Sequence, residues 1–433
     1  MKRFNTSPIS GMQELLPKDQ AVFNQLKSQI EQVYRLHGFQ NIETPIIDRT
    51  DILLAKAGGD TEKQIYKVVK TAETSADADQ ALRFDHTVPL ARYVVEHQNE
   101  LTFPFKVSQI GRNFRGERAQ KGRLREFYQL DVDVIGHDHL PIAYDADVIF
   151  TAHQALSLIL KPRFLIRISN RKLLSGLLQE LNLVDFADQI FTIIDHAEKV
   201  PDTVTRQALN DLDLSNTSIT KLLEFVAIRG VSSSVITALS ALQVENPTFK
   251  TGLDELTAVL DLLKQQGIAD QVIADMMIIR GLDYYTGSVF ETFLPDYPAF
   301  GSICSGGRYE NLASNFTEQQ LPGVGISIGL SRLFAVLGPE GLLKVTTQPP
   351  LDVMLLPLSV QQYSAASQLA IKLRQAQKTV DINYTNKKLD KKLTHAAKIA
   401  HYVIVIGEDE VTSQSFKVKD LLTSQTHPLS ILL

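Results

Sequence analysis

The first strong periodicity in the chain is helical. Val22, Phe23, Leu26, Ile30, Val33 and Tyr34 recur every three or four positions, and Gly38 follows as a stop. The long amphipathic helix predicted there runs into "FQNIETPIID", an extended apolar segment whose Pro45 suits an edge strand or a strand end. "KTAETSADADQ" then reads as turns, "VPLARYVVEHQ" as a helix, and "FKVSQIGRNFRGE" and "FYQLDVDVIG" as two strands. On the second of these strands a period of two sends Leu130, Val132 and Val134 to one face and Gln129, Asp131 and Asp133 to the other.

From about 171 to 275 helical patterns such as "LDELTAVLDLLKQQG" dominate, and a mainly helical inserted unit is expected. Strands return in "MMIIRGLDYYTGSVFETF" and in "GVGISIGLSRLFAVLG", which begins as a glycine-punctuated strand and becomes a helix with Leu330, Leu333, Phe334 and Leu337 on one face. Residues 336–350, with "GPEGLLKVTTQPP", have the composition of a linker. Beyond them strand and helix alternate from 351 to 433, the signature of a small α/β domain with a largely parallel sheet. The expected organisation is a domain of residues 1–335, a linker and a second domain of residues 351–433.

Composition narrows the class. With 433 residues, 44% of them hydrophobic, and a formal charge of −5, the chain is long enough for two or three cored domains and has no global basicity. No charged start followed by an apolar core opens it, and no apolar run reaches membrane-spanning length, so a cytoplasmic protein without a membrane partner is expected. One cysteine, Cys304, excludes internal disulfides and cysteine-based zinc sites and reads as a small buried packer. No His/Glu spacing resembles a metal-ligand set.

Charge is concentrated locally. Arg112, Arg115, Arg118, Lys121, Arg123 and Arg125 outnumber Glu117 and Glu126 between the two predicted strands. Such a run is a solvated hairpin loop or an anion site, and the polar strand face beside it favours the second. Guanidinium forks suit phosphate oxygens, while a row of one amide and two carboxylates needs a polar ligand to offset its burial. A second anion site is suggested where "GISIGLSRL" passes from strand to helix with Arg332 in the first turn. Gly323, Gly325 and Gly329 there either admit a flat ring or serve close strand packing. The spacing matches neither a dinucleotide fingerprint nor a P-loop. "LRFDHTVPLARY" puts Asp85, His86 and Thr87 at a helix mouth, as pocket groups or as a cap. "RGLDYYTG" gathers Arg280, Tyr284 and Tyr285, and "CSGGRYENL" offers Arg308, in a site or as architecture.

In this order, these clusters resemble the class II aminoacyl-tRNA synthetases, and within them the histidine-specific family. The helix and strand ending at Pro45 resemble the first class signature, "FRGERAQKGRLREFYQLDVDVIG" the second, and "GVGISIGLSRL" the third. "LRFDHTVPLARY", "RGLDYYTGSVFE" and "CSGGRYENL" resemble the histidine-specific elements, and the C-terminal unit an anticodon-binding domain. The resemblance implies an α/β protein. Its catalytic domain would be α+β, on a mixed antiparallel sheet of class II type with a helical insertion, followed by a small α/β anticodon-binding domain.

Carried over by residue, the resemblance assigns Asp85, His86, Thr87, Gln129, Asp133, Tyr284 and Tyr285 to histidine. Arg115 and Arg280 would hold its carboxylate and the α-phosphate. Glu117, Arg123, Phe127 and Arg332 would join Arg115 on ATP, with Phe127 stacked on adenine. Arg115, Arg280 and Arg332 would be the catalytic cations, and Arg118, Gln120, Lys121 and Arg125 would reach the tRNA. His86, Ala119, Ser305 and Ser331 depart from the usual family pattern. The activity implied is ATP-dependent ligation of L-histidine to histidine tRNA by a homodimer, with Mg2+ arriving on the nucleotide and no metal held by the protein. Lys387, Lys388, Lys391 and Lys392 form a second tRNA-facing patch or a solvated face. A non-catalytic regulatory subunit of ATP phosphoribosyltransferase shares the synthetase core. Such subunits typically lack the anticodon domain and lose the arginine set, both of which this chain keeps.

Overall fold

The computed structural model describes residues 4–433 apart from 56–58, 73–78, 121, 199, 279–284, 311 and 346–348. It forms two compact units, one of residues 1–14 and 25–344 and one of residues 15–24 and 345–433. No helix among the described residues is long and apolar enough to cross a membrane.

The first unit is built on a mixed sheet with nine strands among the described residues: β1 (Gln40–Ile42), β2 (Phe105–Phe114), β3 (Glu126–Ile135), β4 (Leu165–Asn170), β5 (Arg229–Gly230), β6 (Val272–Asp275), β7 (Ser288–Phe293), β8 (Cys304–Tyr309) and β9 (Gly323–Ile328). Their spatial order is β1-β2-β3-β9-β8-β7-β4-β6-β5. Pairing is antiparallel from β2 across to β4, while β1 runs parallel to β2 and β6 parallel to β4. The expected mixed sheet of class II type is therefore present.

Helix α1 (Pro17–Leu36) buries Leu26, Ile30, Val33 and Tyr34, and the Tyr34 phenol donates to the Leu130 carbonyl at 2.9 Å, fixing the helix to the back of β3. Helix α2 (Thr87–Glu96) buries Val88, Leu90, Ala91 and Val94. Helix α3 (Ala143–Ile159) is apolar almost all round and is covered accordingly, between β9 and the helix Pro247–Gln265. Its one buried acid, Asp145, is met by Arg308 at 2.7 Å, so Arg308 is architectural.

The span 171–275 is mainly helical, but β5 and β6 lie inside it and extend the sheet edge. Strands of two and four residues carry no period long enough to read. The apolar "MMII" run is not strand where it is described. The strand before it ends at Asp275, Met276–Met277 form a turn, and β7 begins at Ser288. Residues 336–344, assigned above to the linker, belong to the first unit. Val336 and Leu337 end helix α4 (Leu330–Leu337), Leu343 is buried in a bridge to Leu160, and the Lys344 N–H donates to the Ile159 carbonyl at 2.7 Å.

The second unit has a five-stranded sheet of β10 (Leu351–Pro357), β11 (Val380–Ile382), β12 (Ala400–Ile406), β13 (Lys417–Asp420) and β14 (Thr426–Pro428), ordered β11-β10-β12-β13-β14. β10 runs parallel to both neighbours, and β13 and β14 continue antiparallel. Helices α5 (Tyr363–Gln375) and α6 (Leu389–Ile399) pack on it. Lys387, Lys388 and Lys391 are exposed, but Lys392 is not part of a surface patch. Its ammonium is buried, donates to the carbonyls of Pro357 at 2.8 Å and Asn383 at 3.3 Å, and has its pKa lowered by that burial.

Candidate active site

β3 carries the polar row that its alternation predicts. In register, Asp133 faces Gly325 of β9 and Val107 of β2, Asp131 faces Ser327 and Gln109, and Gln129 faces Gly111. Above this row lie two cavities, of about 560 and 470 Å³, with Arg115, Arg123, Gln129, Glu291, Ser305 and Ser327 lining both.

The first cavity is acidic. Asp85, Asp131 and Asp133 line it with Thr87, Tyr285 and Tyr309. Asp133 is buried, its Oδ1 accepts from the Tyr309 phenol at 3.0 Å, and burial, then the charge of Asp131, push its pKa up to about 8. Asp85 is raised too, again by burial first, although its Oδ1 accepts from the Val88 N–H at 3.1 Å. Asp85 thus serves as cap and as cavity wall together. Such an enclosure suits a ligand with several N–H donors, which would restore to these carboxyls the charge that burial disfavours.

The second cavity is lined by Arg115, Arg123 and Arg332, with Phe84 and Phe127 as flat apolar walls and Glu117 at its rim. The Arg115 guanidinium lies 4.4 Å from the centre of the Phe84 ring and 5.1 Å from that of Phe127, and its Nε donates to the Phe84 carbonyl at 3.3 Å. Arg332 projects from the first turn of α4, and its Nη2 donates to the Phe300 carbonyl at 2.8 Å. Burial, then Arg123, lower its pKa. Cations held close in a half-dry site await an anion, and aromatic walls suit a flat ring.

Other expected residues sit differently. His86 lines neither cavity: its side chain is 1% exposed, and its Nδ1 lies 2.9 Å from Asp131 Oδ2. Arg125, assigned to tRNA, is tied inward, donating to the carbonyls of Glu117 at 3.0 Å and Ser10 at 3.4 Å. Arg118 and Gln120 are exposed on the hairpin loop, which closes with paired backbone bonds between Gln120 and Arg123. Lys121, Arg280 and Tyr284 lie outside the described residues. The glycines of β9 make room mainly for the protein itself. A Cβ at 325 would fall 2.0 Å from Asp133 Oδ1, and one at 323 would fall 2.4 Å from the Tyr309 ring; Gly329 does face the second cavity. Ser331 accepts from the Tyr128 N–H at 2.8 Å, fastening the start of α4 to β3.

Sequence reasoning missed Glu291, which lines both cavities and whose pKa is raised to about 7 by burial and by Asp195. The signal was a lone carboxylate in the otherwise uncharged strand "SVFETF". Asp195, from the helix Ala187–Ala197 of the insertion, also reaches the acidic cavity. Among the described residues no group of three or more His, Cys, Asp or Glu is placed to hold a metal ion.

The antiparallel core, with a cationic hairpin and a strand-to-helix arginine beside an acidic cavity, defines the catalytic core of a class II aminoacyl-tRNA synthetase. Residues 11–333 match the family model "Histidyl-tRNA synthetase" and residues 352–431 that of an "Anticodon binding domain". The chain belongs to the histidyl-tRNA synthetase family. It is 41% identical over 431 residues to the histidine–tRNA ligase of Clostridium acetobutylicum, covering 99% of each chain, and 42% identical over 429 residues to that of Clostridium tetani, covering 98% and 96%. The crystal structure of histidyl-tRNA synthetase from Nostoc sp. PCC 7120 is similar at a TM-score of 0.88 and 35% identity, over 99% of this chain and 97% of that one. An ATP phosphoribosyltransferase regulatory subunit/histidyl-tRNA synthetase from Bacillus halodurans C shares the fold at a TM-score of 0.78 and 23% identity, over 93% and 99%.

Proposed function

We propose that the acidic cavity takes L-histidine, the arginine-lined cavity takes ATP with its Mg2+, and the chain ligates histidine to histidine tRNA in two transfers. The observation that carries this is that the cavities are contiguous and share Arg115, so a carboxylate held on one side meets a phosphate held on the other across one guanidinium. In the first transfer a histidine carboxylate oxygen bonds to the α-phosphorus, the bond from that phosphorus to the bridging oxygen breaks, and pyrophosphate leaves. Arg115 and Arg332 offset the charge that accumulates, and Arg280 joins them on the resemblance alone. In the second, the 3′-terminal hydroxyl of the tRNA attacks the acyl carbon and AMP leaves. Arg118 and Gln120 face the acceptor end, Lys121 joins them on the resemblance alone, and Lys387, Lys388 and Lys391 face the anticodon arm.

The reading includes a cytoplasmic homodimer. Phe4, Ile9, Leu36, Ile46 and Ile47 leave apolar side chains exposed on the first unit, as a two-fold interface would use. Cys304 is a free thiol, as reducing compartments keep them. The test is ATP–pyrophosphate exchange against all standard amino acids. Dependence on histidine alone is expected, because a site that pairs an imidazole leaves its polar groups unpaired with any other side chain, a penalty of roughly 10⁴-fold. Exchange with another amino acid at comparable kcat/KM would overturn it.

A further inference from the structure

Beneath the acidic cavity runs a chain of buried and half-buried hydrogen bonds whose donors all point toward Asp131. His86 Nδ1 lies 2.9 Å from Asp131 Oδ2, the Ser327 hydroxyl donates to Asp131 Oδ1, and Gln129 Nε2 donates to Ser327 Oγ at 2.7 Å. At the far end Asn113 Nδ2 donates to Gln129 Oε1 at 2.6 Å. His86, Asn113 and Asp131 are all more than nine-tenths buried, and Gln129 alone among these amides borders both cavities.

The direction follows from donor and acceptor inventories. As a carboxylate Asp131 only accepts, so His86 carries its hydrogen on Nδ1 and the single hydroxyl hydrogen of Ser327 points at Asp131. Ser327 then has only lone pairs left for Gln129, which must present its NH₂ end there and its carbonyl to Asn113. His86 holds Asp131 Oδ2 and so keeps Oδ1 turned to Ser327; with Asp131 displaced the Ser327 hydrogen could turn to Gln129, and both amides could turn over together, because Asn113 Oδ1 has no hydrogen-bond partner among the described residues. The ring of His86 is itself wedged: a Cβ on Gly111 would lie 3.2 Å from Nε2 and 2.4 Å from Arg83 Nη2, so Arg83 and His86 fill the space over that glycine. Arg83 is in turn fixed by donating to the carbonyls of Thr44 at 2.7 Å and Arg112 at 2.9 Å.

We propose that His86 is a positioning residue for amino-acid binding. Through Asp131 and Ser327 it fixes which end of the Gln129 amide is donor and which is acceptor, and so the hydrogen-bond pattern the bound amino acid must match. This rests on the reading of the acidic cavity as the histidine pocket. His86 touches no ligand itself, and Asp85 and Thr87 on either side of it supply cavity wall instead.

Pyrophosphate exchange, with KM for histidine and for ATP measured separately, tests this on the full chain. His86→Leu removes the donor and keeps the bulk, Ser327→Ala cuts the chain in its middle, and His86→Asn replaces Nδ1 by an amide N–H of the same reach. The first two should each raise KM for histidine about tenfold, the worth of a buried hydrogen bond to a charged partner, and move KM for ATP less than about twofold. The double variant should be no worse than the poorer single one, because both act on one chain. His86→Asn should recover most of the loss.

Equal shifts in both KM values, additive losses, or no recovery by His86→Asn would overturn the proposal. If His86→Leu does not fold, Ser327→Ala decides alone, and an unchanged histidine KM there refutes the relay. Gln129→Ala separates the two levels. An unchanged histidine KM in that variant removes the pocket assignment and the relay together. A raised KM in Gln129→Ala with silent relay variants removes only the relay.

Discussion

The Tyr309 phenol of β8 donates to Asp133 Oδ1 across 3.0 Å, bracing an acid that lines the first cavity. That bond favours the charged form, yet burial and the neighbouring Asp131 outweigh it and hold the Asp133 pKa at about 8. In the unfolded chain the same group has its ordinary value near 4. The folded, unliganded protein therefore binds the extra proton, and the stability this contributes is fully present below about pH 4 and lost as pH rises through about 8. Glu291, raised to about 7, acts in the same sense. The melting temperature of the unliganded protein should carry a falling contribution between about pH 4 and about pH 8, and Asp133→Asn should flatten part of that fall. Thermal melts across pH for both proteins check it, and equal slopes would exclude Asp133 as a source.

Histidine binding should release a proton at neutral pH. A ligand bringing N–H donors and an ammonium into the acidic cavity favours ionised Asp133, which starts protonated. Calorimetric titration in buffers of different ionisation enthalpy measures the release. It should shrink in Asp133→Asn, and buffer-independent heats in the parent would refute it.

Gly325 tests how tightly that acid is housed. A Cβ there would stand 2.0 Å from Asp133 Oδ1 and 2.9 Å from the Val132 carbonyl, and neither atom belongs to a flexible chain end. Gly325→Ala should cost about 1–3 kcal/mol of stability through overpacking. It should also raise KM for histidine more than KM for ATP, since Gly325 borders only the acidic cavity. Denaturant melts and exchange kinetics read the two effects separately.

How much of this was legible depends on the range of the interactions. The face of β3 could be read from alternation alone, and the strand-to-helix switch at Gly329 from the change of period, because both are local. The role of the β9 glycines could not. Whether Gly325 makes room for a ligand or for Asp133 depends on a register between segments almost two hundred residues apart. His86 was legible as polar beside a helix mouth, but its direction was not, since Asp85, His86 and Thr87 point different ways at the start of α2 and only packing over Gly111 selects which goes inward. Arg125 carried the same charge signal as its neighbours, and the carbonyls that hold it lie in the N-terminal segment and across the hairpin.

Arg308 should matter for folding and not for chemistry. Its guanidinium is bound to Asp145 at 2.7 and 3.0 Å and to the carbonyls of Leu140 and Pro141, with Arg308 and Asp145 themselves buried. Arg308→Met leaves Asp145 as an unpaired buried carboxylate, for a loss of about 3–5 kcal/mol. Arg308→Met with Asp145→Leu should regain much of it. Near-parent kcat/KM is expected for whatever fraction folds; a specific loss of kcat at full folding would move Arg308 into the active site.

The sharpest expectation concerns Arg115, which lines both cavities and is stacked between two aromatic walls of the second. Phe84 and Phe127 flank its guanidinium at 4.4 and 5.1 Å, and the Phe84 carbonyl holds Nε, so the fork is aimed before any ligand arrives. A donor preorganised where charge develops is typically worth about 10²–10³ in kcat. Arg115→Ala should lose adenylate formation by that factor, with KM for histidine also raised and folding intact. Arg115→Lys should rescue poorly, since an ammonium neither stacks between two rings nor spans two oxygens. Transfer from preformed histidyl adenylate to tRNA, measured in a single turnover, should be hurt less than its formation. If Arg115→Ala keeps pyrophosphate exchange within about tenfold of the parent, the shared guanidinium is not where the two substrates meet.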